Sequence, residues 1–173
     1  VVNETNVGLD FRTLNSRLTI EADWYYRLTQ NAVIAAPLPM GAGNLLGNRG
    51  EILNTGVELS FNWADKIGKD FSYYIGANLT TLHNEVKDLN GLSYLYGGSA
   101  EFRTISQVGG ELNAYYGYDI EGVYQNAAEV AADPIAVANG LEPGDFKYVD
   151  QNKDGKIDNK DRVTLGSYIP NFN

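Results

Sequence analysis

The stretch LTIEADWYYRLT, residues 18–29, alternates between apolar or aromatic side chains and mostly polar ones. Successive side chains of a β-strand point to opposite faces, so this pattern predicts a strand with one apolar and one polar face. The alternation lasts about twice as long as a typical strand of about 5–6 residues. The apolar row is Leu18, Ile20, Ala22, Trp24, Tyr26 and Leu28, and the opposite row is Thr19, Glu21, Asp23, Tyr25, Arg27 and Thr29.

The same alternation recurs along the chain, and together these stretches predict an all-β fold of antiparallel strands. A weaker strand is predicted at about 102–107. The other apolar rows are Val7, Leu9 and Phe11; Val57, Leu59, Phe61 and Trp63; Phe71, Tyr73, Ile75, Ala77 and Leu79; and Leu112, Ala114, Tyr116, Tyr118 and Ile120.

The predicted connections alternate between short and long. Short turns are expected at Asn15-Ser16, at 65–70 and at Gly109-Gly110, and long connections at about 35–50, at about 87–100 and after Tyr124. Transmembrane β-barrels of the outer membrane have short periplasmic turns and long external loops. Their strands use about 9–11 residues to cross the bilayer, so the length of the rows favours a barrel over a soluble antiparallel sandwich.

Aromatic side chains support the same interpretation. Phe11, Trp63, Phe71 and Tyr73 lie on the apolar rows close to the predicted short turns. A barrel carries a girdle of aromatic residues at each membrane interface. We therefore expect the short turns to lie on the periplasmic side.

The composition excludes several classes of protein. The chain has 173 residues, a net charge of −9 and no cysteine. It has no run of about 18 apolar residues, which excludes a helical membrane protein, and no basic stripe for nucleic acid. The absence of cysteine excludes disulfides and thiolate metal sites. The segment at Val1 has no signal-peptide features, so we expect any signal peptide to be removed or to lie upstream.

The sequence does not predict an enzyme. His83 is the only histidine, and no Ser–His–acid constellation or phosphate-binding glycine loop is recognisable. Glu21, Asp23 and Glu58 are expected on the polar face of the strands. The polar lining of a barrel lumen accounts for these carboxylates without a catalytic pair.

The stretch DQNKDGKIDNKD, residues 150–161, has the spacing of a twelve-residue calcium loop. Gly155 stands where such a loop turns sharply, and an aspartate replaces the usual closing glutamate. The flanking residues 146–149 look extended, which favours a structural ion over a sensor. The alternative is a solvated turn whose side chains bond their own backbone. The predicted metal ligands are Asp150, Asn152, Asp154, Lys156 through its carbonyl, Asp158 and Asp161.

The calcium-type loop belongs to a long segment, 125–162, that we expect to form one extracellular loop. Residues 127–132 predict a short helical turn that ends before Pro134. A loop of this length is uncommon unless it is functional or held in place, and bound calcium would hold it.

Several blocks of the chain match one known family in order and spacing. They are NRGEILNTGVEL at 48–59; Asn84-Glu85-Val86; Tyr116-Gly117-Tyr118 with Glu121-Gly122-Val123-Tyr124; and Gly144-Asp145-Phe146-Lys147-Tyr148 continuing through Asp161-Arg162 and Gly166 to Pro170. These blocks resemble signatures of the SusC/RagA-type TonB-dependent transporters of the Bacteroidetes outer membrane.

The resemblance implies a fold, a location and partners. The fold would be a plugged barrel of about twenty-two strands in the cell outer membrane, of which residues 1–173 would form a part. The function would be import of oligosaccharides or peptides, powered by the TonB complex, with a SusD-like lipoprotein as an external lid. Cargo and lid would contact the external loops, where Tyr94 and Tyr96 could stack on sugars and the apolar segment 35–40 could meet a partner. The alternative from another class is a secreted, calcium-stabilised β-sandwich for adhesion or carbohydrate binding.

Overall fold

The computed structural model describes residues 1–37, 44–99 and 102–167. The chain divides into two compact units. The first comprises Val1–Leu95, Ser106–Leu112 and the residues from Ser167 onward, and the second comprises Tyr96–Ile105 and Asn113–Gly166.

Four long strands form the antiparallel sheet of the first unit, and each pairs with the next in chain order. The all-β antiparallel prediction is confirmed. The strands are β1 (Val2–Thr13), β2 (Leu18–Pro37), β3 (Asn44–Ile67) and β4 (Phe71–Leu89). With 24 residues, β3 is about twice as long as a strand needs to be to cross a bilayer.

The register of the four strands aligns the predicted apolar rows on one face. Leu9 lies opposite Ala22, Ala22 opposite Leu59, and Leu59 opposite Leu79. Although apolar, the three leucines are exposed, with Leu9 at 66%, Leu59 at 40% and Leu79 at 44%. Burying such a face against hydrocarbon would recover roughly 25 cal/mol for each Å² removed from water.

The first predicted short turn is present between β1 and β2. Leu14, Asn15 and Ser16 all have positive φ, at 55°, 58° and 64°. The next short turn, between β3 and β4, contains Gly68 at a φ of 68°. A left-handed backbone suits glycine and asparagine, and leucine is strained there.

The predicted long connection at 35–50 is wrong, because the hairpin arms continue through most of it. β2 runs to Pro37 and β3 begins at Asn44, with Val33 paired to Asn48. These residues lack clean alternation, so the pattern did not predict a strand. Of the apolar segment 35–40, residues 38–40 lie outside the described residues.

The predicted row from Leu112 to Ile120 is not one strand but two. β7 (Ala114–Tyr118) and β8 (Ile120–Val123) belong to different sheets. Asn113, at a φ of 55°, precedes β7, and Asp119 separates the two strands. Side-chain alternation continues through a change of partner, so it did not predict the break.

The remaining strands form two smaller sheets. β5 (Tyr94–Gly98), β6 (Arg103–Gln107), β7 and β10 (Arg162–Gly166) are arranged in the order β10-β7-β6-β5, and β8 pairs with β9 (Phe146–Tyr148). The predicted weak strand at 102–107 is confirmed as β6.

Two short helices lie within the segment 125–162. They are α1 (Ala127–Ala132), which confirms the predicted helical turn, and α2 (Pro134–Asn139). The Asn126 side chain caps α1, and Asp133 ends α1 and caps α2 by accepting a hydrogen bond from the Ile135 N–H. α2 ends at Gly140, which adopts the left-handed conformation common after helices. Among the described residues, neither helix is long and apolar enough to cross a membrane.

Candidate functional site

The polar face of the four-stranded sheet carries the predicted carboxylates in directly opposed pairs. Asp10 lies opposite Glu21, and Asp23 lies opposite Glu58. Like charges in such positions repel and give the face a negative potential. A cleft of about 610 Å³ on this unit is lined by Glu4, Asn6, Asp23, Trp24, Tyr25, Arg27, Asn54, Glu58 and Leu82.

One cation sits at the rim of this cleft. Arg27 donates to the Glu4 carboxylate at 2.8 Å, and the two side chains come from neighbouring strands. The pair is exposed and therefore worth only about 0–1 kcal/mol. Its effect is to orient the arginine along the acidic face.

The Tyr25 side chain lies across Gly56, its cross-strand partner. A Cβ at Gly56 would come within 2.7 Å of the Tyr25 ring and would also collide with the Thr81 carbonyl oxygen. Glycine is therefore required here by close approach, in a strand where it is otherwise unfavourable. The contact fixes the tyrosine ring on the polar face.

A buried amide pair joins β3 and β4 to the segment that follows β5 and β6. Asn84 is 5% exposed; it donates to the Asn54 side chain at 2.7 Å and accepts from the Leu112 N–H at 2.8 Å. The backbone of Val86 bonds to Gly109 and Gly110 beside it. Both asparagines belong to the sequence blocks that resemble the transporter family. Their structural role here is to anchor residues 106–112 on the sheet.

In the calcium-type loop, the predicted ligands bond the loop's own backbone, which is the arrangement of the alternative turn interpretation. Gly155 has the expected positive φ of 81°. The bonds to side-chain oxygens are Asp154 N–H and Gly155 N–H to Asp150, Asp154 N–H to Asn152, Lys156 N–H to Asp154, and Lys160 N–H to Asp158.

Asp161 closes the loop. Its side chain is fully buried and accepts from the N–H groups of Asp158 at 2.7 Å and Gln151 at 3.1 Å. These backbone donors, that of Asp158 above all, hold the pKa of the carboxyl below its ordinary value. In the part of the chain that the structure describes, no three His, Cys, Asp or Glu side chains converge as a metal site. Calcium binding by the predicted residues therefore stays a prediction.

A buried tyrosine organises the two helices. Tyr124 is 4% exposed and donates from its hydroxyl to the Asp133 carboxylate at 2.6 Å. Burial, together with this carboxylate, raises the pKa of Tyr124 to about 12. The same hydrogen bond lowers the pKa of Asp133. Nearby, Lys147 pairs with Glu121 at 2.9 Å, which raises the pKa of the lysine.

Five aromatic rings of the second unit follow one another, and we call Tyr96, Tyr116, Tyr118, Tyr148 and Phe146 the aromatic row. Ring centroids are 5.4 Å apart for Tyr96 and Tyr116, 5.5 Å for Tyr118 and Tyr148, and 6.2 Å for Tyr148 and Phe146. Tyr116 and Tyr118 are two residues apart on β7 and so lie on the same side.

Two arginines stack on this row. The Arg103 guanidinium lies 5.8 Å from the Tyr96 ring centroid and that of Arg162 lies 4.8 Å from the Tyr118 centroid. Beside the row is a pocket of about 250 Å³ lined by Tyr118, Tyr124, Ile135, Asn139, Leu141, Tyr148 and Ile157. Sequence analysis singled out Tyr96 but missed the row, because its rings come from three strands whose positions alternation does not predict.

Comparison with known proteins assigns the family. No protein-family model matches the chain. The TonB-dependent receptor SusC of Bacteroides thetaiotaomicron is 30% identical over 170 residues, which cover 91% of this chain and 16% of SusC. The TonB-dependent receptor P3 of Formosa agariphila is 28% identical over 177 residues, or 98% of this chain and 18% of P3.

Solved structures agree. The RagAB peptide importer in its open-open state matches with a TM-score of 0.74 and 23% identity, covering 99% of this chain and 18% of the matched chain. A structure of the RagAB peptide transporter matches with a TM-score of 0.61 and 30% identity, covering 72% of this chain and 14% of the other. The chain belongs to the SusC/RagA-type TonB-dependent transporters.

Within this SusC/RagA-type chain, the matched region is only a part of each relative, since it spans less than a fifth of their length. The four-stranded sheet shows no closed barrel among the described residues. His83, the one histidine, is exposed and lies 3.7 Å from Glu85.

Proposed function

We propose that this chain forms part of the wall of an outer-membrane β-barrel that imports oligosaccharides or peptides in a TonB-dependent manner. The observation that carries the proposal is the division of the four-stranded sheet into an exposed apolar face and an acidic polar face. Strands that cross a bilayer around a polar lumen have these two faces. A secreted β-sandwich would instead cover its apolar face with a second sheet.

The named relatives support the direction of transport and the class of cargo. SusC and P3 are TonB-dependent receptors and RagAB is a peptide importer. In the proposed complex, the TonB system supplies the work and a SusD-like lipoprotein closes the barrel from outside. The second unit, with its helices and aromatic row, would form external surface for cargo and lid. The proposal contains no catalytic step.

The test is gentle detergent extraction of the full-length protein from outer membranes, followed by mass spectrometry of what copurifies. The expected result is a SusD-like lipoprotein at near-equal stoichiometry. Recovery of the full-length protein in the soluble fraction, without such a partner, would rule out the transporter and favour the secreted β-sandwich. Glycans or peptides retained in the complex would identify the cargo.

A further inference from the structure

The aromatic row is more exposed than rings that serve only packing. Tyr96 and Phe146, at the two ends, are each 52% exposed, and Tyr148 is 36% exposed. Large aromatic side chains normally contribute their packing energy by burial, and contiguous exposed aromatics commonly mark binding surfaces. The row thus offers successive ring faces to a ligand.

The charges around the row argue against an anionic ligand. Carboxylates outnumber cations in the described residues of the second unit. The two arginines lie against ring faces, and Lys147 is paired with Glu121. A carboxylate or sulfate group would meet a negative potential with its nearest cations already engaged.

The chemistry of the row also separates a glycan from an extended peptide. A peptide is held chiefly through its backbone amides, which pair with a strand edge. The row presents flat apolar ring faces edged by tyrosine hydroxyls, and a pyranose ring has a matching form, with one apolar C–H face and a rim of hydroxyls. Successive rings would contact successive sugar units. The adjoining pocket, lined by Tyr118 and Tyr148 among others, lies where the chain of sugars would run.

We infer that the aromatic row is a binding site for a neutral oligosaccharide, held by stacking of its sugar rings on Tyr96, Tyr116, Tyr118, Tyr148 and Phe146. The inference rests on the proposed import function, which leaves glycans and peptides as alternatives, and it selects the glycan.

The test measures ligand binding by isothermal titration calorimetry of the full-length protein, purified in detergent with its copurifying partner. The probes are neutral hexasaccharides of glucose, of xylose and of mannose, with mixed hexapeptides as the comparison. Tyr96→Ala and Phe146→Ala remove the exposed ends of the row. Tyr115→Ala is the matched control, because Tyr115 is 46% exposed on the opposite side of β7. Phe146→Trp keeps an aromatic face.

We expect at least one hexasaccharide to bind, and each end substitution to weaken its binding by about three- to tenfold, the loss of one aromatic contact. Tyr115→Ala and Phe146→Trp should bind as the unsubstituted protein does. The inference is overturned if no hexasaccharide binds, if Tyr115→Ala weakens binding equally, or if only hexapeptides depend on the row. Those outcomes leave the import proposal standing wherever the lipoprotein copurifies.

Discussion

At the scale of single residues, the two most constrained polar groups are Asn84 in the first unit and Tyr124 in the second. Each is buried and each has specific partners. A buried polar group costs free energy unless it is hydrogen-bonded, so both positions resist substitution more than the exposed residues around them. Sequence motifs included both residues but did not predict their partners, which are distant in the chain.

Asn84→Ala should destabilise the full-length protein by about 1–3 kcal/mol, because the buried Leu112 N–H and Asn54 amide lose their partner. The measurement is the free energy of unfolding in urea after folding into detergent. Asn78→Ala, on the same strand but exposed, is the control and should change it little. Equal effects of the two substitutions would contradict the role assigned to Asn84.

Tyr124 should titrate near pH 12, about two units above an ordinary tyrosine. Because its pKa is raised in the folded state, the stability it contributes is present below pH 10 and lost as the pH rises toward 12. Asp133 behaves oppositely, since its lowered pKa gives stability that is lost in acid. Ultraviolet difference absorbance between the unsubstituted protein and Tyr124→Phe should show one phenolate forming near pH 12. Its formation near pH 10 would refute the assignment.

At the scale of strands and loops, the sequence predicted β1 to β4 because each lies between two different environments and alternation reports that difference. Where the environment changed partner, as at Asp119, or where alternation faded, as at Val33, the boundaries were missed. The aromatic row was not predictable, since Tyr116 and Tyr148 meet only through the arrangement of separate sheets. The hydrogen bonds of Asp161 likewise depend on the path of the folded loop.

Gly56→Ala should disturb β3 by about 1–3 kcal/mol, because the added methyl overlaps Tyr25 and the Thr81 carbonyl. Gly47→Ala is a control in the same strand, since a Cβ there meets nothing within 4 Å. Thermal unfolding in detergent distinguishes them. A Gly56→Ala protein as stable as Gly47→Ala would show that Tyr25 moves aside without cost.

Removal of calcium should loosen the loop at 150–161 if the predicted ligands bind the ion. Amide hydrogen exchange of this loop in the full-length protein should then be faster in EGTA than in millimolar calcium. Asp154→Ala should abolish the difference, and Asp145→Ala, outside the loop, should leave it. Identical exchange in both conditions would establish a loop held by its own backbone bonds alone.

At the scale of the whole molecule, the four-stranded sheet separates two solvents, with Leu59 on the apolar face and its neighbour Ser60 on the polar one. The proposed barrel wall turns that division into a statement about orientation in the membrane. Adjacent residues should therefore respond to the same substitution in opposite ways.

Leu59→Arg should cost about 2–4 kcal/mol of folding free energy in a bilayer, the penalty for arginine near its midplane. Ser60→Arg should be tolerated, because its side chain enters the polar lumen beside Glu21. The measurement is the folded fraction of each full-length variant recovered from outer membranes, read by heat-modifiable gel mobility. Equal recovery of both variants would exclude a lipid-facing Leu59.

The tight turn at 14–17 has a consequence for assembly. Because each strand pairs with its predecessor, the first hairpin sets the alignment that the later strands copy, and most of the pairing is local, which favours rapid zippering. A slip of one position at Leu14–Ser16 would invert β2 and carry Glu21 and Asp23 into hydrocarbon. Such a mistake cannot be inserted at partial cost, so the bilayer itself acts as the proofreader of this chain.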